Sequence, residues 1–217
     1  ELLRTEIIKN FLDPEILVML SQYTHELGMD CGISFFTIED MQDFGTQIEQ
    51  FDFMKVPSPE LTNSGLIDAM LTTGAHVYIS TGCHSELEIG NALKRLSAVE
   101  NWTPLHCISN YPTMLQNARL GYINHMRRCW NRSVGYSSHD ENWQVCLLAL
   151  QLGATVIERH ITLDKNAMGL DHTSSSTPDE FAQLCAFSKN MGVILSGDDP
   201  RACNQGELLN RQNLGRS

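Results

Sequence analysis

The 217-residue sequence predicts a parallel α/β fold, and within that class the greater part of a (β/α)8 barrel of the TIM type. Short apolar runs recur at intervals of roughly 22 to 28 residues, the length of one strand, one helix and two loops. Helical patterns fill the intervals. The runs occupy residues 31–36, 53–56, 77–80, 105–108, 133–136 and 155–161. A barrel has eight such units, so we expect about six here and two more on the N-terminal side.

Start and stop signals mark the helices between these runs. Ser85 and Glu88 form the S-x-x-E pattern of a capping box. Gly153 stops one apolar helix, and Thr177 followed by Pro178 starts another. The predicted helices span residues 15–27, 85–96, 143–152 and 181–191.

The alternative within this class is an open, doubly wound sheet. No G-x-G-x-x-G and no P-loop follows the first predicted strand, so a nucleotide-binding sheet lacks its main signal. Residues 196–217 are rich in Gly, Asn, Arg and Asp and are typical of a loop or linker. We therefore assign 1–195 to an N-terminally incomplete barrel domain and 196–217 to a linker.

Composition excludes several classes of protein. The formal net charge of −11 argues against nucleic acid as a partner. No apolar run is long enough to span a membrane, and the first residues do not resemble a signal peptide. The seven cysteines are odd in number and contain no C-x-x-C pair, which argues against disulfides and structural zinc. We expect a cytoplasmic protein that does not bind membranes.

Ligands of parallel α/β domains bind at the carboxyl ends of the strands, where this sequence is rich in polar residues. The most informative is the last predicted strand, in which Glu158 and His160 share one face and Arg159 lies on the other. Buried ionised groups cost several kcal/mol unless they are paired or bind a metal. Either a structural ion pair or a functional site explains them, and perturbed charges at strand ends favour the site.

Two histidines follow neighbouring strands. His139 comes after one strand and His160 ends the next, so their rings can approach each other. Two imidazoles with open positions suit a Lewis-acidic divalent ion. A lone histidine is more often structural, which is our interpretation of five of the other six histidines. These are His25, His76, His84, His106 and His125.

Lys55 stands inside an otherwise apolar strand. Its side chain could extend from the barrel rim to water, bind a phosphate or carboxylate, or form a Schiff base. Ser58, three residues on, favours phosphate binding. Asp171 follows the last strand, and its spacing alone indicates a solvated loop residue.

Three segments resemble the sialic acid (N-acetylneuraminate) synthases. They read G-Y-S-S-H-D at 135–140, L-G-A-T-V-I-E-R-H-I-T-L-D-K at 152–165 and G-L-D-H at 169–172. Supporting matches are F-M-K-V-P-S at 53–58, I-S-T-G at 79–82 and L-H-C-I-S-N-Y-P-T at 105–113. The resemblance runs from about residue 11 to the end of the chain.

The resemblance implies a (β/α)8 barrel followed by a small antifreeze-like domain that reaches into the partner's active site in a homodimer. It implies a transferase of sialic acid biosynthesis that joins phosphoenolpyruvate to N-acetylmannosamine, its 6-phosphate or a related amino sugar. His139 and His160 would hold manganese or magnesium. Glu158 and Lys55 would be catalytic, with Glu158 orienting or deprotonating water. The residues implied to bind substrate are Ser34, Lys55, Ser58, Ser109, Tyr111, Ser137 and Asp171.

The chain also departs from the family pattern. Ser138 and Asp140 flank His139, as in the animal-type branch. The family's S-T-P-F-D is replaced by I-S-F-F-T at 33–37, and G-L-D stands at 169–171 where G-P-D or G-S-D is usual. The first two strands and the C-terminal domain of the family have no counterpart. Two alternatives therefore remain: an inactive barrel that binds a sugar or a protein partner, and a Schiff-base aldolase that uses Lys55.

Overall fold

A single parallel sheet organises the chain. The computed structural model describes residues 11–198 and 200–215. Six strands lie in chain order, and each is parallel to the next. They are β1 (Gly32–Ser34), β2 (Phe53–Val56), β3 (His76–Ser80), β4 (Trp102–Cys107), β5 (Val134–Ser138) and β6 (Ala154–Arg159). The sheet curls into a partial (β/α) barrel, which confirms the predicted fold class.

Helices alternate with the strands. They are α1 (Pro14–Glu26), α2 (Ile38–Gln42), α3 (Ser64–Thr72), α4 (Glu86–Lys94), α5 (Gly121–Trp130), α6 (Gln144–Gln151), α7 (Pro178–Ile194) and α8 (Gln205–Asn213). None of those in the described ranges has the length and apolar character needed to cross a bilayer. The predicted starts are confirmed, because Ser85 caps α4 and Thr177 caps α7, each in a capping box.

The core lies between the sheet and the helices. The largest apolar cluster gathers side chains of β2 and β3 with those of α3 and α4, including Met54, Ile79 and Leu66. A second cluster packs α5 on β5 through Ile123 and Met126. Each fully buried apolar side chain stabilises the fold by about 1.5–3 kcal/mol. The packing fixes the strands, so the loops at their carboxyl ends are held on a rigid base.

The tail differs from the irregular segment that its composition indicated. Residues 205–213 form α8, which is capped by a reciprocal pair of hydrogen bonds between Asn204 and Glu207. The spacing of these two residues is itself a capping-box signal. A helix forms here because local capping offsets a composition typical of loops. Its role as a linker stays a prediction.

Both edges of the sheet are open in the described part of the chain, since β1 and β6 each pair on one side only. The helices that precede β1 and follow β6 in the chain also expose large apolar side chains. On α1, Met19 is 63% exposed, and on α7, Val193 is 77% exposed. Open edges and bare apolar helices are what an unclosed barrel presents.

Candidate active site

The carboxyl ends of the strands bring the predicted residues to one end of the sheet. The register places Ser34 beside Lys55 on β1 and β2. On the other half of the sheet, Ser137 lies between Cys107 on β4 and Glu158 on β6. The inward-facing side chains therefore form one polar layer at the mouth of the barrel.

An ion pair spans the interior of this layer. Lys55 Nζ lies 3.5 Å from Glu158 Oε2 and donates to the Val56 carbonyl at 3.0 Å. The two residues come from strands that are not neighbours, so the pair crosses the concave face. Only 14% of the Lys55 side chain is exposed, which argues against a lysine that extends to water. Burial lowers the pKa of the ammonium group, and the Glu158 carboxylate counteracts that shift.

Arg159 is the neighbour of Glu158 that points the other way. Its guanidinium donates to Ser138 Oγ and to the Asp140 carbonyl, both at 2.9 Å, and to Ser176 Oγ. Arg159 thus holds together the segments that carry His139 and His160. It does not pair with Glu158, which pairs with Lys55 instead. The predicted alternation of faces is confirmed.

A cluster of hydroxyl and thiol groups lies beside the lysine. Ser58 Oγ donates to Cys107 Sγ at 3.3 Å, and Ser109 Oγ lies 3.9 Å from the same sulfur. Gly82 makes room for them, because a Cβ there would lie 2.7 Å from Ser58 Oγ and would overlap Ser109 Oγ. Burial raises the pKa of the Cys107 thiol, but hydrogen bonding to His139 and to serines outweighs burial and lowers it.

Sequence reasoning missed Cys107 and Gly82 as parts of this cluster. Cys107 has no role assigned from the sequence, and Gly82 is named only as part of a family match. A signal was present, since Cys107 is two residues before Ser109 and the side chains of a strand alternate. No pattern in the sequence indicates that Gly82 lies against the side chains at the end of β4.

The rings of His139 and His160 lie side by side, with their centres 5.4 Å apart. Two imidazoles bound to one ion have centres within about 6 Å, because each metal–nitrogen bond is roughly 2.1 Å long. His139 Nδ1 lies 3.0 Å from the Ile108 carbonyl, which makes Nδ1 the donor and leaves Nε2 free to bind. Burial and the nearby His139 lower the pKa of His160, which favours the neutral, ligating form. Burial also acts to lower the pKa of His139, but hydrogen bonding to Cys107 and to the Ile108 carbonyl outweighs burial and raises it, so a metal ion would compete with a proton there.

The backbone of both histidines is fixed as well. The His139 carbonyl accepts from the Thr113 amide and the His160 carbonyl from the Ser176 amide, each at 2.9 Å. Within 11–198 and 200–215, no three His, Cys, Asp or Glu side chains form a metal-holding cluster. Two imidazoles would therefore leave most positions around an ion to water or substrate.

Tyr111 and Asp171 lie at the opening. The Tyr111 ring is 4.2 Å from the His139 ring between centres, and 49% of the residue is exposed. Burial of the hydroxyl and the nearby Cys107 raise the pKa of Tyr111 to about 12. The negative charge of Asp171 acts to raise the pKa of both Tyr111 and His160, so Asp171 lies in the neighbourhood of both despite its loop position.

Ser34 is placed less favourably than the other predicted residues. It is exposed, and its hydroxyl donates to the Lys55 carbonyl at 3.1 Å. The remaining histidines have structural partners: His25 pairs with Asp52, His76 with Thr103, His84 with the Gly82 carbonyl, His106 with the Ala118 carbonyl, His125 with Glu86 and His172 with Thr162.

Comparison with known proteins shows which family the chain resembles. The NeuB family matches residues 5–199. An N,N'-diacetyllegionaminic acid synthase of Campylobacter jejuni is 33% identical over 72% of this chain and 48% of its own length. N-acetylneuraminate-9-phosphate synthase of Mus musculus is 31% identical over 76% of the chain and 46% of its own length. These similar identities do not single out the animal-type branch.

Solved structures show the same fold. An N-acetylneuraminic acid synthetase of Leptospira borgpetersenii, in complex with citrate, superposes with a TM-score of 0.80 at 26% identity. That match covers 95% of this chain and 73% of the other. A phospho-2-dehydro-3-deoxyheptonate aldolase of Thermotoga maritima shares the fold alone, with a TM-score of 0.67 at 15% identity. This chain spans about half the length of the curated relatives it matches. Because the family model matches most of its length, the chain belongs to the NeuB family.

Proposed function

We propose that this protein is a synthase that condenses phosphoenolpyruvate with an N-acylated amino sugar of the mannosamine type, releasing phosphate. The observation that carries the proposal is the convergence at one strand-end layer of a buried cation, a hydroxyl cluster and two paired histidines. The names of the relatives support the same chemistry, since they are synthases of acidic amino sugars.

Lys55 and the serines would bind phosphoenolpyruvate. The substrate carries a phosphate and a carboxylate, and this acidic chain needs local positive charge to hold it. Lys55 supplies that charge in a site of reduced polarity, where it interacts more strongly than in water. Ser58, Ser109 and Ser137 offer hydroxyl donors beside it.

His139 and His160 would hold a divalent metal ion, Mn²⁺ or Mg²⁺. Their spacing, the free Nε2 of His139 and the lowered pKa of His160 suit such an ion. A bound divalent ion supplies Lewis acidity to the sugar aldehyde. Tyr111 and Asp171 would contact the sugar at the opening.

Glu158 would orient or deprotonate the water molecule that adds to phosphoenolpyruvate. In the overall reaction, carbon 3 of phosphoenolpyruvate bonds to the aldehyde carbon, water adds to carbon 2, and phosphate leaves with cleavage of its C–O bond. Glu158 Oε2 lies 3.5 Å from Lys55 Nζ and its side chain is partly exposed, so the carboxylate can orient water or accept its proton.

The two alternatives are less well supported. A Schiff-base lysine must lose its proton, which burial of Lys55 favours and the Glu158 carboxylate opposes, so trapping chemistry must separate the aldolase from the synthase. A barrel that only binds a partner needs no ordered layer of acid, base and histidines. Borohydride trapping of a carbonyl substrate on Lys55, without metal, would favour the aldolase instead.

Phosphate release from phosphoenolpyruvate tests the proposal. It is measured with a panel of N-acylated mannose sugars and their 6-phosphates, before and after chelation and manganese addition. We expect release only with a sugar present, lost on chelation and restored by manganese. Release without any sugar, or none with any member of the panel, would count against the proposed reaction.

We also propose that the protein works in the cytoplasm as a homodimer. All seven cysteines are free thiols, as in a reducing compartment. Dimerisation follows from the family resemblance, in which a C-terminal domain completes the partner's site. Sedimentation of an active monomer at micromolar concentration would contradict the dimer.

A further inference from the structure

A second polar pocket lies at the opposite end of the sheet from the candidate active site. It opens where α5 ends and where β5 and β6 begin, and its volume is about 510 Å³. Ser133 on its wall and His139 at the active site are separated by the length of β5, roughly 20 Å at about 3.3 Å per residue. Three arginines line the pocket, with Asn124, Asn131 and Ser133, and no acidic residue lines it.

The charge of this pocket is opposite to that of the chain. The sequence has 26 acidic and 15 basic residues, yet three of the basic ones meet here. Arg95, by contrast, is neutralised by Asp68 at 2.6 Å. In the part of the chain that the structure describes, Arg127 and Arg128 form no ion pair with any carboxylate.

The third arginine is held rigidly. Arg132 donates to the backbone carbonyls of Val99, Glu100 and Trp102. Its guanidinium also stacks on the Trp102 ring, 4.5 Å from the ring centre. Carbonyls and an aromatic face position the group without cancelling its charge. An immobile cation loses little conformational freedom when it meets an anion.

Gly153 provides space for Arg127. This glycine has a φ of +93°, and a Cβ there would overlap the Arg127 guanidinium. The turn before β6 therefore leaves room for a long side chain beside it.

The end of α5 does not account for all three positive charges. Arg127 and Arg128 lie in its last turn, where cations interact favourably with the exposed carbonyls. A helix terminus carries only about half an elementary negative charge. Three arginines leave the pocket clearly positive.

We propose that this pocket binds a small anion that bears phosphoryl groups. Guanidinium groups match the geometry of phosphate oxygens, and the amides of Asn124 and Asn131 add neutral donors. The volume lies within the range of small-molecule sites, about 300–1,000 Å³.

Titration calorimetry of the purified protein with sodium pyrophosphate, at constant ionic strength, tests the proposal. We expect the double variant R127Q/R128Q to bind at least about tenfold more weakly, since a hydrogen bond to a charged group contributes about 1.5–3 kcal/mol. The matched control is K94Q/R95Q, which removes two positive charges from the end of α4. It should bind like the unsubstituted protein. In a K55M background, which removes the anion contact proposed at the active site, R127Q/R128Q should still weaken binding to the same degree.

Other outcomes would overturn the site. Equal weakening in both double variants would mean that only net charge matters, and loss confined to K55M would place the anion in the active site. An acidic peptide that binds more tightly than pyrophosphate would refute the phosphoryl assignment. The natural ligand could be a free phosphate or a larger phosphorylated molecule, and comparing pyrophosphate with ADP distinguishes the two. Equal affinity for both indicates free phosphate. Tighter binding of ADP indicates a larger phosphorylated molecule.

Discussion

Lys55 illustrates how single residues set the chemistry of this site. An ammonium group buried alone would lose its proton, because desolvation penalises the charged form. Glu158 lies 3.5 Å away and opposes the effect of burial in part, while its own side chain stays partly exposed. When an anionic substrate binds, Lys55 can therefore contact the substrate instead of Glu158. Glu158 can then contact water.

Removing either candidate metal ligand tests the residue-level assignment. H139A and H160A should each abolish manganese-stimulated phosphate release, because each loses one imidazole of a two-imidazole site. Circular dichroism and melting should show a folded protein. H125A is the control, since His125 lies at the surface on Glu86, and it should keep full activity. Loss of stability with unchanged activity in H139A and H160A would mean that these residues are structural.

Gly82 offers a second test at this scale. G82A should raise the KM for phosphoenolpyruvate at least about tenfold, because its Cβ would push on Ser58 and Ser109, and a lost charge-assisted bond costs about 1.5–3 kcal/mol. G90A is the matched control in α4, where a Cβ meets no atom within 4 Å. It should keep the KM and gain up to about 1 kcal/mol of stability. An unchanged KM in G82A would separate these serines from substrate binding.

At the scale of elements, a buried histidine joins a strand to the helix that follows it. His106 on β4 lies 2.8 Å from the Ala118 carbonyl, and its ring contacts those of Tyr122 on α5 and Tyr136 on β5. Burial lowers the pKa of His106 below its usual value. The neutral ring is thus part of the contact between these elements.

This shift predicts a pH dependence of stability. The folded pKa lies below that of the unfolded chain, near 6.5, so the unfolded state binds more protons as the pH falls through that value. His106 should therefore reduce stability below about pH 6.5, by up to about 1.4 kcal/mol per pH unit. Urea unfolding of the protein and of H106Q between pH 5 and 8 measures this, and the variant should have the shallower slope. Equal slopes would assign the dependence to other groups.

The elements were largely predictable from the sequence because their signals are local. Apolar runs separated by one helix length gave the six strands, and capping boxes gave the starts of α4 and α7. The contacts that shape the site are not local. Cys107 on β4 contacts Ser58, which follows β2. Lys55 on β2 contacts Glu158 on β6 across the concave face of the sheet. No periodicity along one chain reports such pairs.

At the scale of the whole molecule, the open sheet is the main structural question. Among the described residues β1 and β6 each pair on one side only, and the helices before β1 and after β6, α1 and α7, expose apolar side chains. We propose that two further β/α units close the barrel between these edges, as the predicted eight-unit fold requires.

Hydrogen exchange tests this closure in the purified full-length protein. If other strands cover both edges, amides of β1 and β6 should exchange as slowly as those of the central strands β3 and β4. Unpaired edges exchange far faster, because their amides contact water. Rapid exchange confined to β1 and β6 would show that the barrel stays open.

We propose that one strand-end layer holds both a divalent ion and phosphoenolpyruvate. Anomalous diffraction from crystals of the protein soaked with manganese and phosphoenolpyruvate measures both positions at once. We predict one manganese peak in contact with His139 and His160, and the substrate phosphate beside Lys55 and Ser58. A peak elsewhere, diverging histidine rings, or substrate density away from Lys55 would contradict the account.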